Sequence, residues 1–90
     1  MNKAKILISG DVQGVFFRFF VRDKAEVLGL NGFVKNRGDK KVEVVVEGHE
    51  LKIKKLIEEC RVGPKGASVE NIEVHMEPFK NEFSKFRIKY

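Results

Sequence analysis

Apolar and polar positions alternate along this chain with two periods, and the period changes in a regular order. Ala4, Ile6 and Ile8 alternate with Lys5, Leu7 and Ser9, which predicts a strand buried on one face and partly on the other. Phe17, Val21, Ala25 and Leu28 recur at helical spacing while Arg22, Lys24 and Glu26 turn mostly outward, and Gly29 is placed to end that helix. Gly32 to Arg37 reads as a strand, and Val42, Val44 and Val46 alternate with Glu43, Val45 and Glu47 in another, so Gly38-Asp39-Lys40 predicts the tip of a hairpin. Gly48-His49 breaks the alternation. Ile53, Leu56, Ile57 and Cys60 then follow the i, i+3, i+4, i+7 pattern of a second amphipathic helix, which Gly63-Pro64-Lys65-Gly66 stops. Ile72, Val74 and Met76 alternate with Glu73, His75 and Glu77, and Phe86, Ile88 and Tyr90 alternate with Arg87 and Lys89, which predicts two more strands.

The order is βαββαβ plus a short C-terminal strand. Each strand has one apolar face and two helices are available to cover it, so the economical arrangement is a mostly antiparallel sheet with both helices on one face. This is an α+β fold, the ferredoxin-like α/β plait. The other sheet face is expected to be polar and to carry Glu43, Glu47, Glu73, His75, Arg87 and Lys89. The plait hosts RNA binders, metal carriers and enzymes alike, so it assigns no activity.

Composition narrows the classes. Ninety residues make one domain with a single core, and 42% hydrophobic with 34% charged residues is too apolar for disorder and too interrupted for a membrane span. The chain begins with a strand pattern and no signal-peptide h-region, and it has one cysteine, so the expectation is a cytoplasmic monomer without a disulfide. A net charge of +5 suits anionic ligands. The lysines are spread through the chain, so a solvated basic surface explains the charge equally well.

Candidate chemistry is concentrated in Gly10-Asp11-Val12-Gln13-Gly14-Val15-Phe16-Phe17-Arg18, which runs from a strand through two glycines into a helix. Glycines let consecutive N–H groups converge on one point, and a helix N-terminus adds unpaired donors and the positive end of its dipole. A cation in the first helical turn opposes that dipole, so Arg18 implies an anion between them. On these residues alone the cradle suits a nucleotide, a sulfate or an RNA phosphate.

The same segment resembles the signature of the acylphosphatase family, Gly-x-Val-Gln-Gly-Val-x-Phe-Arg, at every fixed position. A second family block, Gly-aromatic-small-basic-Asn, is matched by Gly32-Phe33-Val34-Lys35-Asn36 and continues through Val42 to Gly48. The chain departs from the pattern at Lys40, where the family usually has glycine, and carries Gly38 instead. The resemblance implies hydrolysis of acyl phosphates to a carboxylate and inorganic phosphate, without a metal or other cofactor. It assigns phosphate binding to the backbone of Asp11, Val12, Gln13, Gly14, Val15, Phe16 and Phe17, and catalysis to Arg18 and Asn36, with Asn36 orienting the attacking water.

Each singled-out residue also has a structural reading. Arg18 alone is a solvated helix residue, Asn36 a turn residue, and Phe16, Phe17, Phe19 and Phe20 are core and loop packing. Cys60 is a core residue of the second helix, and His49 and His75 lack metal-ligand partners at short spacing. The competing function is a non-catalytic phosphate or nucleic-acid binding module. An RNA-binding plait places aromatics on the exposed face of its central strands, where this chain has Glu43, Val45 and Glu47. A metallochaperone would need paired cysteines in the first loop, and there are none.

Overall fold

The computed structural model describes residues 1–90. In chain order the elements are β1 (Asn2–Asp11), α1 (Phe17–Val27), β2 (Asn31–Asn36), β3 (Val42–Gly48), α2 (Glu50–Val62), β4 (Ser68–Pro78) and β5 (Phe86–Lys89). The strands form one sheet in the order β4-β1-β3-β2-β5, antiparallel throughout except for β2 against β5. No helix is long and apolar enough to cross a membrane.

The period-two pattern puts Ala4, Ile6 and Ile8 of β1 beside Val46, Val44 and Val42 of β3, in register and fully buried. Phe17, Val21 and Ala25 of α1 and Ile53, Leu56 and Cys60 of α2 close over them in a single core cluster. Desolvation at this depth, with Glu59 nearby, pushes the Cys60 thiol up to about 12, which makes it a packing group and a poor nucleophile.

The regular pairing extends further than the alternation of apolar residues. β1 and β4 stay paired past a register shift at Ser9/Gly10, through Gly10 opposite Val69 and Asp11 opposite Ser68. The bulge requires a glycine: Gly10 has φ 128°, and a Cβ there would lie 2.2 Å from the Ser68 carbonyl oxygen. The extra residue of the bulge is Glu70 of β4, and the pairing it preserves carries β1 on to Asp11.

The face opposite the helices differs from the solvated polar face expected of it. Glu73, His75, Arg87 and Lys89 are exposed, but Glu47 is only 2% exposed and Lys3 and Val45 are also buried. The cover is the segment 79–85, which crosses this face between β4 and β5. Both carboxylate oxygens of Glu47 are used: Oε2 accepts from the Lys80 N–H and Oε1 from the Glu82 N–H, each at 2.9 Å. Asn31 Nδ2 donates to the Phe83 carbonyl at 3.3 Å, and the Phe83 ring meets Phe33 edge-on at 5.9 Å. Lys3 donates to the Glu82 carboxylate and lies 3.9 Å from Glu77. The hydrogen bond to Glu82 raises the Lys3 pKa against the opposing effect of burial, and the same bond holds the Glu82 carboxyl below its usual range. Glu47 is buried because charge-assisted hydrogen bonds replace its hydration.

Replacing Glu47 by Ala leaves two backbone N–H groups without their acceptor. The expected loss is about 2 kcal/mol, read as a lower urea midpoint at unchanged m-value.

Candidate active site

The site is formed where β1 ends and α1 begins. Val12 and Phe17 are 1% and 2% exposed, so both ends of the connecting loop are anchored in the core and Gln13 to Phe16 must span the gap. Gly14 does so with φ 75° and Phe16 with φ 60°. Left-handed backbone suits glycine, whereas for a residue such as Phe16 it costs about 1–2 kcal/mol. The result is a run of unanswered donors: no N–H from Gln13 to Phe19 donates to another group of the protein.

The two helices treat their N-termini differently. Neither helix has a side-chain cap, but α2 has Glu50 in its first turn, which complements the dipole, whereas α1 has no acidic residue there. Arg18 adds positive charge instead. Its Nη1 donates to the Lys89 carbonyl at 3.4 Å and its guanidinium lies 4.8 Å from the centre of the Tyr90 ring. The end of β5 therefore orients Arg18 without neutralising it. No carboxylate forms an ion pair with Arg18.

Asn36 is the last residue of β2, ahead of the hairpin turn. It lines one pocket of about 180 Å³ with Val12, Gly14, Phe16, Phe17, Arg18 and Phe19. The structure thus brings together the helix-start arginine, the hairpin asparagine and the glycine loop. The side chains of Asp11, Gln13 and Val15 do not line this pocket. Val15 packs against the core, and Asp11 is the exposed last residue of β1, opposite Ser68. A larger groove of about 620 Å³ lies between α1 and α2, but there Lys24 and Glu59 pair at 3.6 Å and neither Arg18 nor Asn36 takes part.

This geometry places the chain among known proteins. A family model described as Acylphosphatase matches residues 4–88. The chain belongs to the acylphosphatase family. A relative named Acylphosphatase from Pyrobaculum arsenaticum is 48% identical over 89 residues, covering 98% of this chain and 94% of its own length. The crystal structure of acylphosphatase from Bacillus subtilis superposes with a TM-score of 0.97 at 36% identity, covering both chains completely. The structure of an acylphosphatase from Coxiella burnetii gives 0.92 at 40% identity, over 98% of this chain and 92% of the other.

The acylphosphatase framework also explains residues whose roles the sequence did not reveal. Gln13 Nε2 donates to the carbonyls of Arg37 and Lys41, each at 3.0 Å. Those two residues face one another across the mouth of the hairpin, where the Arg37 N–H donates to the Lys41 carbonyl at 2.8 Å. One amide thus ties the glycine loop to the strand end that carries Asn36. Its fixed place within the motif was the available signal, but a side chain reaching into another hairpin is a non-local contact. Lys40 has φ 66°, so it occupies the left-handed position of the turn where the family usually has glycine. The hairpin keeps its geometry, at the steric cost of a Cβ. The four phenylalanines, expected as packing, divide. Phe17 is in the core and Phe20 packs against it, but Phe16 and Phe19 are exposed at the pocket. Helical phase explains Phe19, which falls off the buried stripe of Phe17 and Val21.

The alternative of a nucleic-acid module loses its platform. Phe33, the aromatic on the face opposite the helices, is engaged by Phe83 and lies under the Lys89 ammonium at 4.0 Å, so it cannot stack on a base.

Substituting Gln13 by Leu removes both tethers. Amide hydrogen exchange across 36–42 is expected to quicken about tenfold, with protection of β1 and α2 retained.

Proposed function

We propose that this pocket hydrolyses acyl phosphates, with the phosphoryl group held by the 11–17 backbone and Arg18 and the attacking water oriented by Asn36. The single observation that carries the reading is the convergence of Arg18, Asn36 and the uncapped start of α1 on one small pocket. Membership of the acylphosphatase family supports the reaction class, with inorganic phosphate and a carboxylate as products.

Each role follows from charge and geometry. The substrate phosphate carries two negative charges, and the N–H groups of the loop answer several of its oxygens at once. Arg18 grips two oxygens in a planar fork and stays charged at any working pH. Charge spreads over the equatorial oxygens during transfer, and donors already fixed in place stabilise it with little reorganisation. Asn36 offers an acceptor and a donor without a useful pKa, so it holds water in line without taking its proton.

No Asp, Glu or His lines the pocket, so a phosphate oxygen of the substrate accepts that proton. Water attacks phosphorus, the bond between phosphorus and the acyl oxygen breaks, and the carboxylate leaves with the bonding electrons. A carboxylate is a good enough leaving group to go without a general acid, and the chemistry needs no metal. The protein acts as a monomer in the cytoplasm in this reading.

Two measurements test the assignment. Inorganic phosphate at about a hundred times its Kd stabilises a binding-competent protein by about 2.7 kcal/mol. The wild type is expected to show the corresponding rise in Tm and Arg18→Ala none; an equal rise in both would remove Arg18 from the site. In an acetyl phosphate assay with a chelator, wild-type activity is expected to persist and Asn36→Ala to lose about 10²–10³ in kcat. Near-normal kcat in that variant would exclude water positioning, and wild-type activity lost on chelation would require a metal.

A further inference from the structure

The groove between α1 and α2 carries apolar side chains that the core does not use. Val27 is 85% exposed and Leu51 74%, and both lie outside the buried stripes of their helices, Phe17-Val21-Ala25 in α1 and Ile53-Leu56-Ile57-Cys60 in α2. They come from segments distant in sequence, yet they line the same cavity of about 620 Å³, where Leu28, half-buried against the core, completes the apolar part. A single exposed hydrophobe is ordinary on a protein surface. Two that leave the helical phase of their own elements and meet in one concave site point to an apolar ligand.

The charges around the groove define the rest of that ligand. Both carboxylates of its lining are engaged, Glu59 by Lys24 at 3.6 Å and Glu58 by Arg61 at 3.4 Å. Lys54 reaches Glu50 at 3.9 Å, which leaves Lys55 as the lysine of the groove without a carboxylate partner. Lys55 follows Leu51 by four residues, so it stands one turn away on the same face of α2. We propose that this groove binds a small amphiphile with one anionic head, a medium-chain carboxylate, its head on Lys55 and its chain along Leu51, Val27 and Leu28. The extent of the groove suits a small molecule: eight residues line it, whereas a stable protein interface engages roughly 20–30 residues a side. A bilayer fits less well, because Glu50, Glu58 and Glu59 are interspersed with the lysines of α2 and would face its anionic surface. The groove shares no lining residue with the Arg18 pocket, so the two sites are separate.

The test titrates hexanoate, octanoate and decanoate, each below its micellar concentration, into the wild type by calorimetry, with excess inorganic phosphate present to occupy the Arg18 pocket. Saturable binding is expected, about tenfold tighter for decanoate than for hexanoate, since an open groove covers about half of each added methylene. No saturable binding, or no dependence on chain length, would overturn the site. Octyltrimethylammonium has a comparable chain and the opposite charge; binding as tight as that of octanoate would overturn the anionic head. Lys55→Glu and Val27→Ser/Leu51→Ser alter exposed side chains, and each is expected to weaken decanoate about tenfold, whereas affinities within about twofold of wild type in both would place the ligand elsewhere. Two other occupants are distinguishable. Capture on phosphatidylglycerol vesicles without saturable decanoate binding would assign the face to a membrane, and a sedimentation coefficient that rises with protein concentration in the wild type but not in Val27→Ser/Leu51→Ser, again without decanoate binding, would assign it to a second copy of the chain. Either result would overturn the amphiphile site.

Discussion

The site depends first on the simultaneous burial of Val12 and Phe17. Both side chains belong to the core, so the chain between them has no freedom to run out into solvent and must turn from strand to helix within the loop. That turn is tight enough to need left-handed backbone at Gly14 and at Phe16. The conformation of the loop is therefore a consequence of packing. Apolar side chains beneath the loop hold it in place, and that fixity is what the proposed phosphate cradle needs.

A second line of support crosses the far side of the sheet. Glu47 fastens the 79–85 segment, which sets the start of β5, and β5 pairs with β2 in the parallel direction. The last residue of that strand and the one after it then contact Arg18 through the Lys89 carbonyl and the Tyr90 ring. A buried carboxylate on one face of the sheet and an arginine at its end are thus parts of one connected framework. Gln13 closes the other side by tying the loop to the hairpin that presents Asn36. The two polar side chains of the site come from different elements, and each is held by a contact distant in sequence.

The strands and helices were legible from periodicity, because burial on one face writes a period of two or 3.6 into any element that packs against a common core. Cys60 was legible as core for the same reason. The 79–85 segment was not, since Lys80 and Glu82 follow no apolar period and their partners are supplied by Glu47 and Lys3 from other strands. Glu47 itself follows the alternation of an exposed position, and only the strap above it makes it buried. Phe16 and Phe19 misled in the opposite sense: a phenylalanine near a core is usually in it, but loop strain and helical phase put these two outside.

By itself the sequence determined the order of elements, the faces that the core would take, and the two motifs whose spelling marks an anion site and its neighbouring asparagine. These are local properties, since residue spacing along a helix or strand and glycine before a helix act within a few residues. Only the tertiary structure decided that Arg18 and Asn36 share a pocket, that Gln13 links their elements, that Lys40 tolerates a turn glycine's conformation, and that two aromatic rings border the mouth. Those depend on strand pairing and on close packing between distant segments, which single-sequence patterns do not encode because many partners satisfy the same local rule.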